Sequence, residues 1–234
     1  MLDKLSLETL VKGTVLLVNK PATWTSFDVV NKLNWIIKKQ SHQKVKVGHA
    51  GTLDPLATGL LVICTGAKTK EIQSLTGLDK RFTGSFFIGA TTPCFDLEVE
   101  PDQFFETAHI TEHHIREVAR KMVGKQAQIP PQFSAKKVDG KRAYESARKG
   151  VVVEIKPKDI DIKSFDITAI EMPEISFDLL VSTGTYIRAI ARDLGVSLQS
   201  GAYLKSLVRT SIGPFELSQA YELDALVEEI KGLE

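Results

Sequence analysis

The stretch that decides the fold reads Gly48-His49-Ala50-Gly51-Thr52-Leu53-Asp54-Pro55-Leu56-Ala57-Thr58-Gly59-Leu60-Leu61. It places one acidic side chain, Asp54, in a loop of small and hydroxyl residues, with a histidine five residues upstream. An isolated carboxylate in such a loop is typical of a single nucleophile. The local sequence also fits a structural role, because an Asp-Pro pair can begin a helix, with Asp54 as its N-cap and Pro55 in the first helical position.

The composition is that of an ordinary globular chain. Its 234 residues are 43% hydrophobic and 25% charged, which is enough for one substantial core or two small ones. The longest apolar run, Leu60 to Cys64, is far too short to span a bilayer, and no secretory signal begins the chain. The two cysteines, Cys64 and Cys94, cannot make a disulfide framework, and no His/Cys cluster has metal-ligand spacing. These features predict a cytoplasmic protein with reduced thiols and no metal.

Charge is segregated along the chain, although the formal net charge is only +1. Residues 36–50 contain four lysines and no acid, and residues 121–150 contain eight basic residues against two acids. The compensating acids collect in residues 96–106 and 216–234. A nearly neutral protein with segregated charge can present a basic face to phosphates, so the pattern is compatible with a nucleic-acid partner.

Hydrophobic periodicity predicts an α+β fold on a mixed sheet. The expected strands are residues 13–19, 80–89, 151–154, 161–170, 174–182 and 203–210. The expected helices are residues 26–37, 68–75, 111–122, 189–198 and 220–230. Residues 90–107 are acidic and rich in turn formers, which predicts a surface loop. The whole chain, residues 1–234, is expected to form a single catalytic domain, with a basic insertion at residues 125–150.

Three other kinds of catalytic site lack support. Residues 66–69 end like a phosphate-binding loop, but Ala67 stands where that motif needs glycine. A serine hydrolase is disfavoured because the chain has no GxSxG motif. A glycosidase would need a second carboxylate, and spacing picks out none.

The sequence closely resembles the TruB family of tRNA pseudouridine synthases over nearly the whole chain. The matching segments occur in the family's order. Residues 48–59, within the stretch quoted above, resemble the family's catalytic motif. The others are Asn19-Lys20-Pro21, Asp79-Lys80-Arg81-Phe82, residues 129–137 with Gly140, Tyr144 and Glu145, residues 184–188, and residues 202–209.

The resemblance implies isomerisation of uridine 55 in the T-loop of tRNA to pseudouridine after the base is flipped out. It implies a pseudouridine-synthase-like sheet, mixed and largely antiparallel, flanked by helices. The expected partner is the T-arm of tRNA. The expected enzyme is a monomer that uses no cofactor, metal or guide RNA. Because the sequence stops at Glu234, it is expected to be a short form without the C-terminal PUA domain.

The same resemblance assigns three catalytic residues. Asp54 is the expected nucleophile, acting covalently or through a glycal-type intermediate. Arg188 is expected to pair with Asp54 and keep it ionised. Tyr186 is expected to stack beside the uracil and to transfer the proton at C5.

The resemblance also assigns residues that hold the substrate. His49 is expected to hold open the loop left by the flipped base, and Leu207 to line the uracil pocket. Phe82 stands where the family usually has tyrosine, and it is expected to stack on the base without the help of a hydroxyl. The expected cations are Lys20 and Arg209 near the pocket, in a structural or phosphate-facing role, and Lys136 and Lys137 in the RNA-binding insertion.

Two other functions remain open at this point. The same basic face would serve a non-catalytic module that binds or folds tRNA. A carboxylate nucleophile would also serve a hydrolase acting on another nucleoside.

Overall fold

The structure is a computed structural model that describes residues 5–134, 137–138, 141–142, 151 and 153–233. For residues 137–138 and 141–142 it describes the backbone pairing alone. Lys136 and the side chain of Lys137 therefore lie outside the described residues, as do residues 135, 139–140 and 143–150 of the predicted insertion.

The described helices include one at each predicted position, but the helix at Leu7–Lys12 was not predicted and the first half of the helix expected over residues 68–75 is a 3₁₀ turn. They are α1 (Leu7–Lys12), α2 (Ser26–Ser41), α3 (Ile72–Thr76), α4 (Glu112–Lys121), α5 (Ile187–Ser197) and α6 (Leu223–Lys231), with short 3₁₀ turns at Gly66–Glu71 and Leu217–Gln219.

The described strands are β1 (Val15–Lys20), β2 (Val47–His49), β3 (Thr58–Thr65), β4 (Lys80–Ile88), β5 (Ala90–Thr91), β6 (Gln103–Phe104), β7 (Gly124–Gln128), β8 (Lys137–Val138), β9 (Lys141–Arg142), β10 (Lys158–Glu171), β11 (Glu174–Val181), β12 (Ala202–Ile212), β13 (Phe215–Glu216) and β14 (Tyr221–Glu222).

The chain divides into two compact units. The first unit contains Met1–Phe82 and Leu207–Glu234, and the second contains Thr83–Ser206. Strands β4 and β12 each contribute residues to both units. Among the described residues, no helix is both long and apolar enough to cross a lipid bilayer.

The first unit is a mixed sheet with helices packed against it. Strand β3 pairs antiparallel with β1 and β2 and parallel with β12, and β1 pairs parallel with β14. The main core lies between this sheet and helices α2 and α6, and it includes Val18, Leu33, Leu61 and Leu226. The central strand of this unit, β3, begins four residues after Asp54, so strand pairing fixes the backbone that follows the Asp54 loop.

Helix α2 begins where the sequence predicts. The Thr25 side chain accepts a hydrogen bond from the backbone N–H of Asp28, and the Asp28 carboxylate accepts from the backbone N–H of Thr25. This reciprocal capping satisfies two N–H groups that a helix start leaves unpaired. The buried apolar residues of α2 are at positions 29, 30, 33, 36 and 37, as the periodicity predicts.

The second unit is an antiparallel sheet with an aromatic core. Strand β10 pairs with β11 on one side and with β7 on the other. Phe86 stacks on Phe177 with ring centroids 4.2 Å apart, and its ring meets Phe165 edge-on. Mixed and largely antiparallel pairing in the two units confirms the predicted fold class.

Two local predictions are wrong. Residues 151, 153 and 154 are not in a strand. Residues 90–107 are not simply an exposed loop, because β5 pairs with β6 there and Asp96 is 4% exposed. Alternation and acidity describe a segment's own surface preference, whereas these outcomes depend on which distant segment lies beside it.

Candidate active site

Asp54 lies in a tight turn between two segments of the first unit. The backbone N–H of Ala57 donates to the carbonyl of Asp54 at 3.1 Å, and strand β3 begins at the next residue. The interpretation of Asp54-Pro55 as the start of a helix is therefore wrong. Pairing of β3 with β1 and β12 requires an extended backbone from Thr58 onward, and this long-range pairing overrides the local capping preference.

The loop is clamped by the segment that joins β1 to α2. The Ser26 hydroxyl accepts a hydrogen bond from the backbone N–H of Leu53 at 2.8 Å and donates to the Leu53 carbonyl at 3.3 Å. The backbone N–H of Thr23 donates to the Pro55 carbonyl at 2.8 Å. These bonds fix the backbone on both sides of Asp54.

Lys20 bonds to both of the segments that meet at this loop. Its side chain is fully buried, and Nζ donates to the carbonyls of Pro21, Trp24 and Pro55 at 2.8, 2.6 and 3.1 Å. Burial lowers the pKa of Lys20 to about 8, although the nearby Asp54 carboxylate opposes that shift. Because all three donor positions are used on protein carbonyls, the structural role fits Lys20 better than the phosphate-facing one.

Arg209 supports the loop from strand β12. The guanidinium is buried and donates to the carbonyls of Leu60, Gly51 and Thr52 at 2.7, 3.0 and 3.4 Å. Burial lowers the pKa of Arg209 and the charge of Asp54 raises it, and a guanidinium keeps its proton at neutral pH.

The close approach of β3 to β12 requires a glycine. A Cβ on Gly59 would lie 2.4 Å from the Arg209 carbonyl oxygen, and Gly59 has φ = +104°. This glycine of the 48–61 stretch therefore allows β12 to place Arg209 against the loop.

The Asp54 carboxylate lies among fixed positive charges. Its charge partly opposes the lowering of the pKa of Lys20 and Arg209 by burial, which places it within electrostatic range of two buried cations. Both cations are held by backbone carbonyls, so they cannot swing away from the loop. The first unit by itself thus supplies an acidic group in a rigid, positively charged setting.

The other predicted residues of the first unit have different degrees of exposure. His49 ends β2 and is partly buried, and its Nδ1 has no hydrogen-bond partner among the described residues. Burial and, to a smaller extent, the charge of Arg209 lower the pKa of His49, which favours the neutral ring. Phe82 on β4 and Leu207 on β12 are buried, at 5% and 8% exposure.

Tyr186 and Arg188 occupy the beginning of α5 in the second unit. Tyr186 is the N-cap residue of that helix and is partly buried. Its backbone N–H donates to Gln128 Oε1 at 2.9 Å, and Gln128 Nε2 donates to its carbonyl at 3.2 Å. Gln128 thus fixes the backbone of Tyr186, a role that nothing in the local sequence of Gln128 indicates.

Arg188 is buried and forms an ion pair with Asp96, with Nε 3.4 Å from Oδ2. Its other guanidinium nitrogens donate to the carbonyls of Cys94 and Phe133 at 3.1 and 3.0 Å. Sequence reasoning missed Asp96 because it grouped that residue with the exposed acids after it. Fourteen uncharged residues, 82–95, precede Asp96, and that change in composition was the available signal. Pairing of Arg188 with Asp54 would join residues of the two units and stays a prediction.

A solved structure has the same fold. A chain in the crystal structure of a Cbf5-Nop10-Gar1 complex matches 99% of this chain with a TM-score of 0.73 and 26% sequence identity. The match covers 60% of that chain, so this chain spans less than two thirds of its structural relative.

Sequence relatives agree with the fold. A family model described as TruB family pseudouridylate synthase (N terminal domain) matches residues 38–187. A relative named tRNA pseudouridine synthase B from Flavobacterium johnsoniae is 48% identical over 226 residues, which cover 96% of this chain and 99% of the relative. One of the same name from Chloroherpeton thalassium is 51% identical over 219 residues, covering 93% and 90%. Fold and matches define a pseudouridylate synthase. The chain belongs to the TruB family.

Proposed function

We propose that the protein converts uridine 55 in the T-loop of tRNA to pseudouridine, with Asp54 as the nucleophile. The observation that carries the proposal is the setting of Asp54, a carboxylate on a clamped loop beside the buried cations Lys20 and Arg209. The two relatives described above are named as tRNA pseudouridine synthases and match this chain over nearly their whole length, which supports tRNA as the substrate.

The reaction begins with removal of the target base from its stack. Extrusion of a base costs a few kcal/mol, and the protein repays this cost with contacts to the flipped nucleotide and to the loop it leaves. Phe82 stacks on the uracil and Leu207 lines its pocket. His49, which is partly buried at the end of β2, contacts the opened loop.

The chemistry exchanges one bond of the ribose for another. The bond from C1′ to N1 breaks with help from Asp54 in one of two ways. Asp54 attacks C1′, and the bond it forms there breaks again when C5 bonds to C1′, or Asp54 removes the proton from C2′ to give a glycal and returns that proton when C5 bonds to C1′. The uracil turns in its pocket, C5 bonds to C1′, and Tyr186 assists removal of the proton from C5 while N1 takes up a proton. Atoms balance without a cofactor or metal, because the product is an isomer of the substrate.

In this scheme Arg188 stabilises the negative charge of Asp54. Its ion pair with Asp96 and its two backbone acceptors orient the guanidinium within the second unit. In the proposed reaction this guanidinium pairs with Asp54 and favours the ionised carboxylate. The basic insertion, including Lys136 and Lys137, grips the tRNA.

The test uses unmodified tRNA and base-resolution mapping of pseudouridine. The native protein should give a signal at position 55, and Asp54→Asn should abolish it while leaving the fold intact. Asp224→Asn, a change of an exposed acid in the first turn of α6, is the matched control and should retain full activity. Pseudouridine formation by Asp54→Asn would contradict the proposed nucleophile. Full biological function without that activity would favour the non-catalytic tRNA-folding module, and release of free uracil would favour a nucleoside hydrolase.

A further inference from the structure

Helix α2 has an aromatic face that the Asp54 site does not use. Phe27 and Trp35 are 65% and 55% exposed, and they lie about 12 Å apart along the helix axis. Asn31 and Lys38 fall between them around the helix, and both are exposed. The buried residues of α2 lie on the opposite side. Exposed aromatic rings that share one face with polar and basic residues offer surfaces on which unpaired bases can stack.

The far end of this face is basic. Between Asp28 and Asp54 the chain has five lysines and no acidic residue, and Lys38, Lys39, Lys44 and Lys46 are exposed. Lys39 Nζ lies 5.2 Å from the centre of the Trp35 ring, so one cation and one aromatic face are presented together. By contrast, Lys163 and Lys205 in the second unit each form an ion pair with an acid, Asp161 and Glu174.

The face runs outward from the Asp54 loop. Ser26, at the first position of α2, is bonded to Leu53, and the sixteen residues of α2 extend about 24 Å from there. Near the beginning of the helix an open depression of about 510 Å³ is lined by Thr23, Trp24, Asp28, Asn31 and Lys32. A ligand that reaches Asp54 and continues along α2 would pass this depression and then Trp35.

We propose that this α2 face, formed by Phe27, Asn31, Trp35, Lys38 and Lys39, binds a segment of the tRNA outside the T-arm. The proposal rests on the proposed function, since it extends the binding of a tRNA whose target uridine lies at Asp54. Unpaired bases stack on aromatic side chains, and lysines neutralise the phosphates beside them. This combination fits RNA better than an acidic protein, which would use the lysines and leave the aromatic rings without matched partners.

The experiment compares two ligands, full-length unmodified tRNA and the isolated T-arm stem-loop. Trp35→Ala should raise the Kd for full-length tRNA at least about fivefold, the lower end of the range for one base stacked on an aromatic ring. The double variant Lys38→Gln/Lys39→Gln should raise the same Kd and reduce the slope of log K against log salt by roughly 1.4 to 1.8. The Kd for the stem-loop should stay within about twofold of the native value. Circular dichroism and thermal midpoints check that both variants fold.

The matched control removes the same charge from lysines that already have acidic partners. Lys163→Gln/Lys205→Gln should change the Kd for full-length tRNA by less than about twofold. Unchanged binding of both RNAs by both α2 variants would overturn the proposal and would instead favour a protein as the partner of this face. An equal loss for tRNA and stem-loop would also overturn it, because the face would then bind the T-arm itself. A native protein that binds tRNA but forms no pseudouridine would contradict the proposed function alone, since this comparison measures binding.

Discussion

Arg188 and Asp96 form a buried ion pair in which each side chain is only 6% exposed and Nε lies 3.4 Å from Oδ2. Helix α5, residues 94–96 and Phe133 meet at this guanidinium, because the carbonyls of Cys94 and Phe133 also accept hydrogen bonds from it. A buried guanidinium held in this way has little freedom to reorient. The direction in which Arg188 presents its charge is therefore set by residues that were not part of the predicted site.

The change Asp96→Asn keeps the size of the side chain and removes its charge. It should lower the free energy of unfolding by about 3 kcal/mol, because it removes the negative charge beside a buried guanidinium. It should also lower kcat, since Arg188 loses its fixed orientation. Urea unfolding and single-turnover pseudouridine formation measure the two effects.

The control for Asp96 is Asp102→Asn in the same acidic segment. Asp102 is exposed and accepts a hydrogen bond from the Thr91 hydroxyl at 2.7 Å. Its replacement should leave both stability and kcat close to native. An Asp96→Asn protein as stable and active as the control would show that the ion pair is not needed.

The change Ser26→Ala removes the hydroxyl that binds both backbone groups of Leu53. It should destabilise the protein by roughly 1 to 3 kcal/mol, because the buried N–H of Leu53 loses its acceptor. It should lower kcat more than it raises KM, since the loop that carries Asp54 loses its position. Steady-state kinetics on tRNA separates the two constants.

Ser41→Ala is the matched control for this hydroxyl. Ser41 ends the same helix, and its hydroxyl donates to the Ile37 carbonyl within that helix. Its loss should leave kcat unchanged. If Ser26→Ala lowered stability and left kcat at the native value, the clamp would be structural only.

The pKa of Lys20 makes stability depend on pH in a defined direction. Burial lowers this pKa from 10.5 to about 8, so between these values the unfolded chain binds a proton that the folded protein does not. The free energy of unfolding therefore rises with pH in that window. Between pH values of about 7.5 and about 9.5, the gain from Lys20 should be about 2 kcal/mol.

Lys20→Met isolates that contribution, because methionine fills a similar volume without titrating. Between pH values of about 7.5 and about 9.5, the unfolding free energy of the native protein should rise relative to that of the variant by about 2 kcal/mol. Urea titrations at several pH values provide the measurement. A constant difference would mean that Lys20 has its ordinary pKa.

Thr23 has φ = 69°, a left-handed conformation that a β-branched residue rarely adopts. Thr23→Gly should relieve about 1 to 2 kcal/mol of strain and lose about 0.5 to 1 kcal/mol to the greater freedom of the unfolded chain. A small net gain in thermal midpoint is expected. Thr25→Gly, at φ = −76° and with a capping hydroxyl, should give a loss instead.

Phe82→Tyr tests whether the missing hydroxyl matters. Since Phe82 is proposed to stack on the base, the change should alter kcat by no more than about twofold. An increase of tenfold or more would show that the hydroxyl takes part in proton transfer. The rate of pseudouridine formation at saturating tRNA is the measurement.

Some helices and strands could be predicted from spacing, whereas several contacts of the site could not. The helix over residues 26–37, with its Thr25 cap, follows from spacing alone, and so does the strand over residues 174–182. The predicted roles of Asp54, Tyr186 and Arg188 came from motif resemblance and stay predictions. Asp96 and Gln128 escaped notice because their roles depend on partners 92 and 58 residues away in the chain.

The sequence by itself determined most of the longer helices and strands, the family, and the presence of a lone acid in the 48–61 stretch, but it did not reveal the central strand β3. Tertiary structure decided that Asp54-Pro55 makes a turn, that Lys20 and Arg209 are buried beneath it, and that Ser26 clamps it. The physical reason is the same in each case. A local pattern sets what a segment prefers, whereas β3, paired with β1 and β12, fixes which backbone groups and charges surround Asp54.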